Sequence, residues 1–185
     1  INDTQKLYEE ACRIAVEQGG LRMAWVGTAR LESQTLQPVA VCGDDTGYLK
    51  SIQISVLPEP RGLGPAGRAY RENQVVYCHD IANDPAMLLW REAALKGGYH
   101  SCAGFPLCVD GRPIGAFTVY GDAPGYFDGD SFQFLSAITE NLSYAVESHL
   151  REQQRRQTEL ALKASEARFR SYFELSMHGI AVTTP

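Results

Sequence analysis

The side chains best equipped for chemistry in this chain are its five cysteines, at 12, 42, 78, 102 and 108, and the histidines beside two of them. Cys78-His79 and His100-Ser101-Cys102 would supply soft nitrogen and sulfur ligands if their two segments lay side by side. No CxxC pair is present, and zinc sites usually show close cysteine pairs, so no metal is assigned. Cys102, next to His100, is the candidate redox thiol, a role that needs solvent exposure and a neighbouring cation to stabilise the thiolate. No nucleophile stands at a spacing that fixes a base and an orienting partner beside it. No catalytic residue is therefore assigned, and enzymatic activity is not expected of this segment.

Charge and composition narrow the remaining classes. The 185 residues carry 17 Lys+Arg against 22 Asp+Glu, a formal charge of −5, and 44% are hydrophobic, the profile of a soluble globular domain. Excess acid leaves no basic surface to neutralise phosphates, which excludes a nucleic-acid partner. No apolar run approaches the roughly 20 residues that span a bilayer, and the polar start INDTQKLYEE is no signal peptide, so we expect no membrane insertion and a cytoplasmic location. Five cysteines cannot all pair within one chain; reduced, mostly buried thiols are expected.

The elements that must position these residues follow from periodicity. Leu7, Ala11, Ile14 and Ala15 recur at helical spacing between Thr4 and Gln18, and Gly19-Gly20 stops that helix. Segments 22–29 and 36–42 read as an antiparallel hairpin, followed by a short helix within 43–54, a Pro/Gly loop over 57–62 and a helix over 64–72. Residues 75–78 form a short strand. Asp84-Pro85 opens a helix, Asp as N-cap and Pro at the first position, that runs to Gly97-Gly98. Segments 101–109 and 113–120 pair through Asp110-Gly111, a dipeptide suited to a tight hairpin. Asp130 offers an N-cap, with Gln133 three residues on, for a helix that continues to about residue 174. The fold class is α+β, an α/β/α sandwich with a central antiparallel sheet flanked by helices.

Six stretches carry a family resemblance: AVCGDDTGYL from Ala40, GLGPAGRA from Gly62, DIANDP from Asp80, WREAALKGGY from Trp90, SCAGFPL from Ser101 and GAFTVY from Gly115. In this order they resemble the GAF domain, as found in bacterial signalling proteins with GGDEF/EAL or histidine-kinase outputs. The resemblance implies a sensory module with a small-molecule pocket between the sheet and the 85–97 helix. Candidate ligand-binding residues are Trp25, Trp90, Tyr99, Phe105 and Phe117 as apolar walls and Arg68, His79 and Ser101 as polar anchors. It also implies limits. The Cys-His that would attach a bilin is absent around Leu89-Trp90, which argues against a covalent bilin and leaves the cofactor unknown. The spaced elements of cyclic-nucleotide-binding relatives are missing. The strand at Ile114–Tyr120 has no acids of the kind used by relatives that reduce free methionine sulfoxide.

The run REQQRRQTE, Arg151–Glu159, contains no apolar residue and cannot be core. It divides the chain into a GAF module over 1–147, a helical linker or coiled coil over 148–164, and residues 165–185. The last stretch, SEARFRSYFELSMHGIAVTT, resembles the opening of a PAS domain, with a strand pattern starting at Gly179 and residues after about 175 unfolded unless a neighbour completes them. We read the chain as a piece of a longer protein. An approximate heptad, Leu135, Ile138, Leu142, Ala145 and His149, nominates these five for homodimerisation through paired helices. The expected function is a non-catalytic sensor that relays ligand binding through a dimeric helix to PAS and output domains acting in cyclic-di-GMP turnover or as a histidine kinase. A ligand-free spacer and a thiol redox sensor are the competing readings.

Overall fold

The computed structural model describes residues 3–181 and divides into two compact units, residues 1–147 and 148–185. The chain begins with helix α1 (Asp3–Gly19), then strands β1 (Met23–Arg30) and β2 (Thr35–Gly43), helix α2 (Tyr48–Ser51) and strand β3 (Ile54–Ser55). Helix α3 (Pro65–Glu72), strand β4 (Val76–Cys78) and helix α4 (Arg91–Lys96) follow. Strands β5 (Ser101–Val109) and β6 (Arg112–Gly121) then lead into helix α5 (Gly129–Ala181). All strands pair antiparallel in the order β3-β2-β1-β6-β5-β4. The β5–β6 turn works as expected, because Asp110 (φ 49°) and Gly111 (φ 71°) both take the left-handed conformation that matches the twist of a hairpin.

Both faces of the sheet are covered, so its central strands read as apolar runs and not as clean alternation. Ala24, Val26, Ala103, Phe105, Leu107, Phe117 and Val119 face α1 and the first part of α5, which contribute Ala11, Cys12, Ala15, Leu135, Leu142 and Val146. Met23, Trp25, Cys102, Ala116 and Tyr120 face the other way, toward α2, α3 and the segment around α4. Helix α3 sits so close to β5 that a Cβ on Gly104 would lie 2.5 Å from the Pro65 carbonyl oxygen, so only glycine admits this packing.

Three details differ from the sequence reading. The helix expected from Asp84 to Gly97 is instead a 3₁₀ turn at Pro85–Met87 followed by the short α4. Asp84 does cap the turn, accepting from Ala86 N at 2.8 Å. Arg91 then donates back to the Ile81 and Asp84 carbonyls, which satisfies those oxygens without a continuous helix. The break turns Trp90 and Met87 inward while Leu88 and Leu89 stay exposed. The cap of α5 is Asp128 and not Asp130, since the Asp128 carboxylate accepts from both the Ser131 amide and hydroxyl. The strand pattern expected from Gly179 is helical through Ala181; residues 182–185 lie outside those described.

In the second unit the backbone is helical throughout its described part. Glu152 pairs with Arg155 and Arg156, and Glu159 with Lys163, one turn apart as helix spacing requires. Leu162, Phe169 and Phe173 are exposed there, together with Leu160, Tyr172 and Leu175. The heptad nominated for dimerisation is occupied differently: Leu135 and Leu142 are buried against this chain's own sheet and Ile138 packs beside them. A helix lying on a sheet needs the same apolar spacing as one in a coiled coil, so periodicity alone does not separate the two. Ala145 and His149 are half-buried.

Candidate functional site

The sheet face under the α4 segment holds an aromatic cluster with an unusual share of polar atoms. Tyr48, from α2, meets Tyr99 and Tyr120 edge-on at 5.3 and 5.5 Å, and Tyr99 and Tyr120 are 4.9 Å apart. Tyr99 donates its hydroxyl proton to the Asp44 carbonyl. Burial pushes the Tyr48 and Tyr120 hydroxyls well above the ordinary tyrosine range, so both stay neutral at physiological pH.

Beside this cluster lies a cavity of about 20 Å³, lined by Tyr48, Ile52, Ile54, Gly64, Pro65, Ala66, Met87, Trp90, Thr118 and Tyr120. That is room for a single water. Trp90 closes it, its ring resting on Gly64, where a Cβ would come within 2.7 Å of the indole. Thr118 Oγ1 is buried at the wall with no hydrogen-bond partner, while the indole N–H of Trp25, its directly opposed neighbour across the β1–β6 pair, turns to the Tyr120 hydroxyl. Such an orphan is costly, of order 1–3 kcal/mol, and is rare in packed interiors. Outside, an open groove of about 680 Å³ runs between α2 and α4, lined by Thr46, Gly47, Tyr48, Ser51, Leu89, Glu92, Ala93 and Lys96. Tyr48 belongs to both the cavity and the groove.

No charged residue lines the inner cavity. The nearby arginines are engaged elsewhere: Arg22 with Asp44 and the Gly97 carbonyl, Arg71 with the Leu57 and Gly62 carbonyls, and Arg91 as described above. The site can therefore hold apolar atoms and satisfy one or two neutral hydrogen-bonding groups. It offers nothing to neutralise a phosphate or carboxylate.

Of the eight residues nominated from sequence, three converge here: Trp25, Trp90 and Tyr99. Phe105 and Phe117 lie on the opposite face, where they pack on each other at 6.3 Å in the α1/α5 core. Strand alternation decides this, since 105 and 117 have the other parity of their strands from Cys102 and Tyr120. Arg68 is paired with Glu72 along α3, at 2.8 Å. His79 is exposed and stacked on Tyr77 at 5.6 Å. Ser101 donates to the Ala123 carbonyl at 2.8 Å, which anchors the loop after β6. Sequence reasoning missed Thr118, Tyr48 and Tyr120. Thr118 was visible as the one threonine inside an apolar central strand, a placement with a desolvation cost.

Cys102 fails the conditions set for a redox thiol. It is 1% exposed, and burial raises its thiol pKa when a reactive thiol needs the opposite. Its neighbours are Cys78 and Met87, not a cation.

Solved structures of similar architecture include the domain of a putative two-component sensor histidine kinase protein from Sinorhizobium meliloti, at 20% identity over 85% of this chain and 99% of that one, with a TM-score of 0.66. The blue-light absorbing form of the PixJ GAF domain from Thermosynechococcus elongatus aligns at 16% identity, 84% and 92% coverage and a TM-score of 0.67. A type II free methionine-R-sulfoxide reductase from Thermoplasma acidophilum aligns at 20% identity, 79% and 94% coverage and 0.63. These likenesses establish the fold. The GAF domain family model matches residues 2–147, and the chain belongs to that family. No curated protein matches it significantly. No helix among the described residues is long and apolar enough to cross a membrane.

Proposed function

We propose that residues 1–147 are a non-catalytic sensory module that binds a small, neutral, largely apolar molecule on the sheet face beneath Trp90. The observation that carries this reading is the orphaned hydroxyl of Thr118 on the wall of a cavity that Trp90 closes. A neutral ligand with one hydrogen-bonding group would satisfy that hydroxyl, a gain the empty site lacks. Entry requires Trp90 and the 85–97 segment to move outward. That segment is suited to it: a 3₁₀ turn and a six-residue helix, with Leu88 68% and Leu89 56% exposed.

The signal would pass to a homodimeric helix over 148–164, and from there to a PAS domain beginning near residue 165 and to an output of the cyclic-di-GMP or histidine-kinase type. The dimer seam would then run along the exposed face of this linker helix that carries Leu162, and not through Leu135 and Leu142. Ligand affinity that differs between two arrangements of the helix pair would shift their populations by that difference alone.

Size favours a second reading. A cavity with room for one water suits a spacer whose pocket its own side chains have filled. Titration of the purified chain with indole and with benzoate, followed by tryptophan fluorescence and thermal unfolding, separates the two. Saturable stabilisation by indole, lost in Thr118→Val and absent with benzoate, is the expected result. No saturable response to indole or to other neutral aromatics of its size would leave the spacer.

A further inference from the structure

Three sulfur atoms meet under the same segment. Cys78, on the edge strand β4, is the register partner of Cys102 on β5, and both are about 1% exposed. Directly opposed residues of an antiparallel pair hold their Cβ atoms about 4.5–5.5 Å apart, so the two thiols are neighbours. Met87, the last residue of the 3₁₀ turn and 2% exposed, brings its Sδ to 4.0 Å from Cys102 Sγ. Two elements of the sheet and one of the covering segment thus contribute one sulfur each. Metal–sulfur bonds of about 2.3 Å arranged trigonally place their sulfurs about 4.0 Å apart, so the Cys102–Met87 separation already suits two ligands of one ion.

We propose that Cys78, Cys102 and Met87 form a binding site for a soft monovalent metal ion, Cu(I). The donor set decides the ion. Thiolate and thioether sulfur select Cu(I), while a thioether is a poor ligand for zinc and for the harder divalent ions. Among the described residues no three His, Cys, Asp or Glu side chains come together, so the usual mixed sites for those ions are not built here. His79, which the sequence placed beside Cys78, is exposed and stacked on Tyr77. Binding replaces two S–H bonds with two copper–thiolate bonds and releases two protons to solvent; copper and sulfur keep their oxidation states. The bound ion would tie the turn that precedes Trp90 to the sheet.

The test is anaerobic titration of the reduced chain with Cu(I) against a chromophoric Cu(I) chelator, with X-ray absorption at the copper edge. The expected result is one tightly held equivalent with three sulfurs around the metal. Cys78→Ser and Cys102→Ser should each abolish it. Met87→Leu, which keeps the side-chain volume, should leave two sulfurs and weaken binding about tenfold. Cys108→Ser should change nothing. The proposal is overturned if Cu(I) is held no better than by the chelator, if Cys102→Ser folds and binds unchanged, or if three sulfurs persist in Met87→Leu. It is equally overturned if air oxidation yields a Cys78–Cys102 disulfide while the reduced protein takes up no Cu(I).

Discussion

The two faces of the sheet are both buried, yet they are built from different chemistry. The α1/α5 face is aliphatic and phenylalanine-rich, with Val26, Phe105, Leu107, Phe117, Leu135, Leu142 and Val146 closely packed. The α2–α4 face carries three tyrosines, two tryptophans, paired thiols, a small cavity and the orphaned hydroxyl of Thr118. The first is what a chain does to stay folded. The second buries many polar side chains at a cost in stability, which is the pattern expected where recognition sets the composition.

The largest test of this contrast is a matched pair of deletions. Phe117→Ala, on the packed face, should cost about 3–5 kcal/mol in chemical denaturation, and Leu135→Ala about 2–5 kcal/mol. Trp90→Ala removes a larger side chain from the other face but should cost less than Phe117→Ala, because the short 85–97 segment can relax around the gap. If Trp90→Ala proves as damaging as Phe117→Ala, the two faces are equivalent cores and the contrast is lost.

Thr118→Val comes next and has the opposite sign. It removes a buried hydroxyl with no partner and keeps the shape, so the ligand-free chain should gain about 1 kcal/mol while losing indole binding. A destabilised Thr118→Val would mean that the hydroxyl has a structural partner.

Alkali should weaken the chain through the α1/α5 face, where Cys12 is buried. Burial pushes the Cys12 thiol up to about 12 from an ordinary 9.0. Its contribution is therefore fully present below about pH 9 and is lost as the pH rises toward 12, because only the unfolded state ionises in that window. Unfolding titrations at pH 7 and 10 should show the loss, and Cys12→Ala should reduce it.

The smallest effect lies on the surface. Hydrogen bonds from Arg68 and Gln74 hold Glu72 down to about 2. The stabilisation exists above the ordinary carboxylate range and disappears as the pH falls from about 4.5 toward 2. For a pair so near solvent, Glu72→Gln should cost only a few tenths of a kcal/mol at pH 7, measurable as a shift in urea midpoint.

Much of this was legible in the residues. The hairpin turn at Asp110-Gly111, the stop at Gly19-Gly20 and the cap at Asp84 are local effects, set by which backbone angles and hydrogen bonds a few neighbouring residues allow. So was the order of elements apart from β3, and with it the GAF resemblance. The assignment of side chains to faces was not. Phe105 and Phe117 share their strands with Cys102 and Tyr120, and only register and parity separate core from site. Leu135 and Leu142 show a periodicity that serves a sheet or a partner helix equally well; the sheet of their own chain took them. Local propensity depends on near neighbours and is written along the chain. Which surfaces meet across 24 residues between Cys78 and Cys102, or 93 between Trp25 and Thr118, depends on how every strand pairs, and that is decided only when the sheet closes.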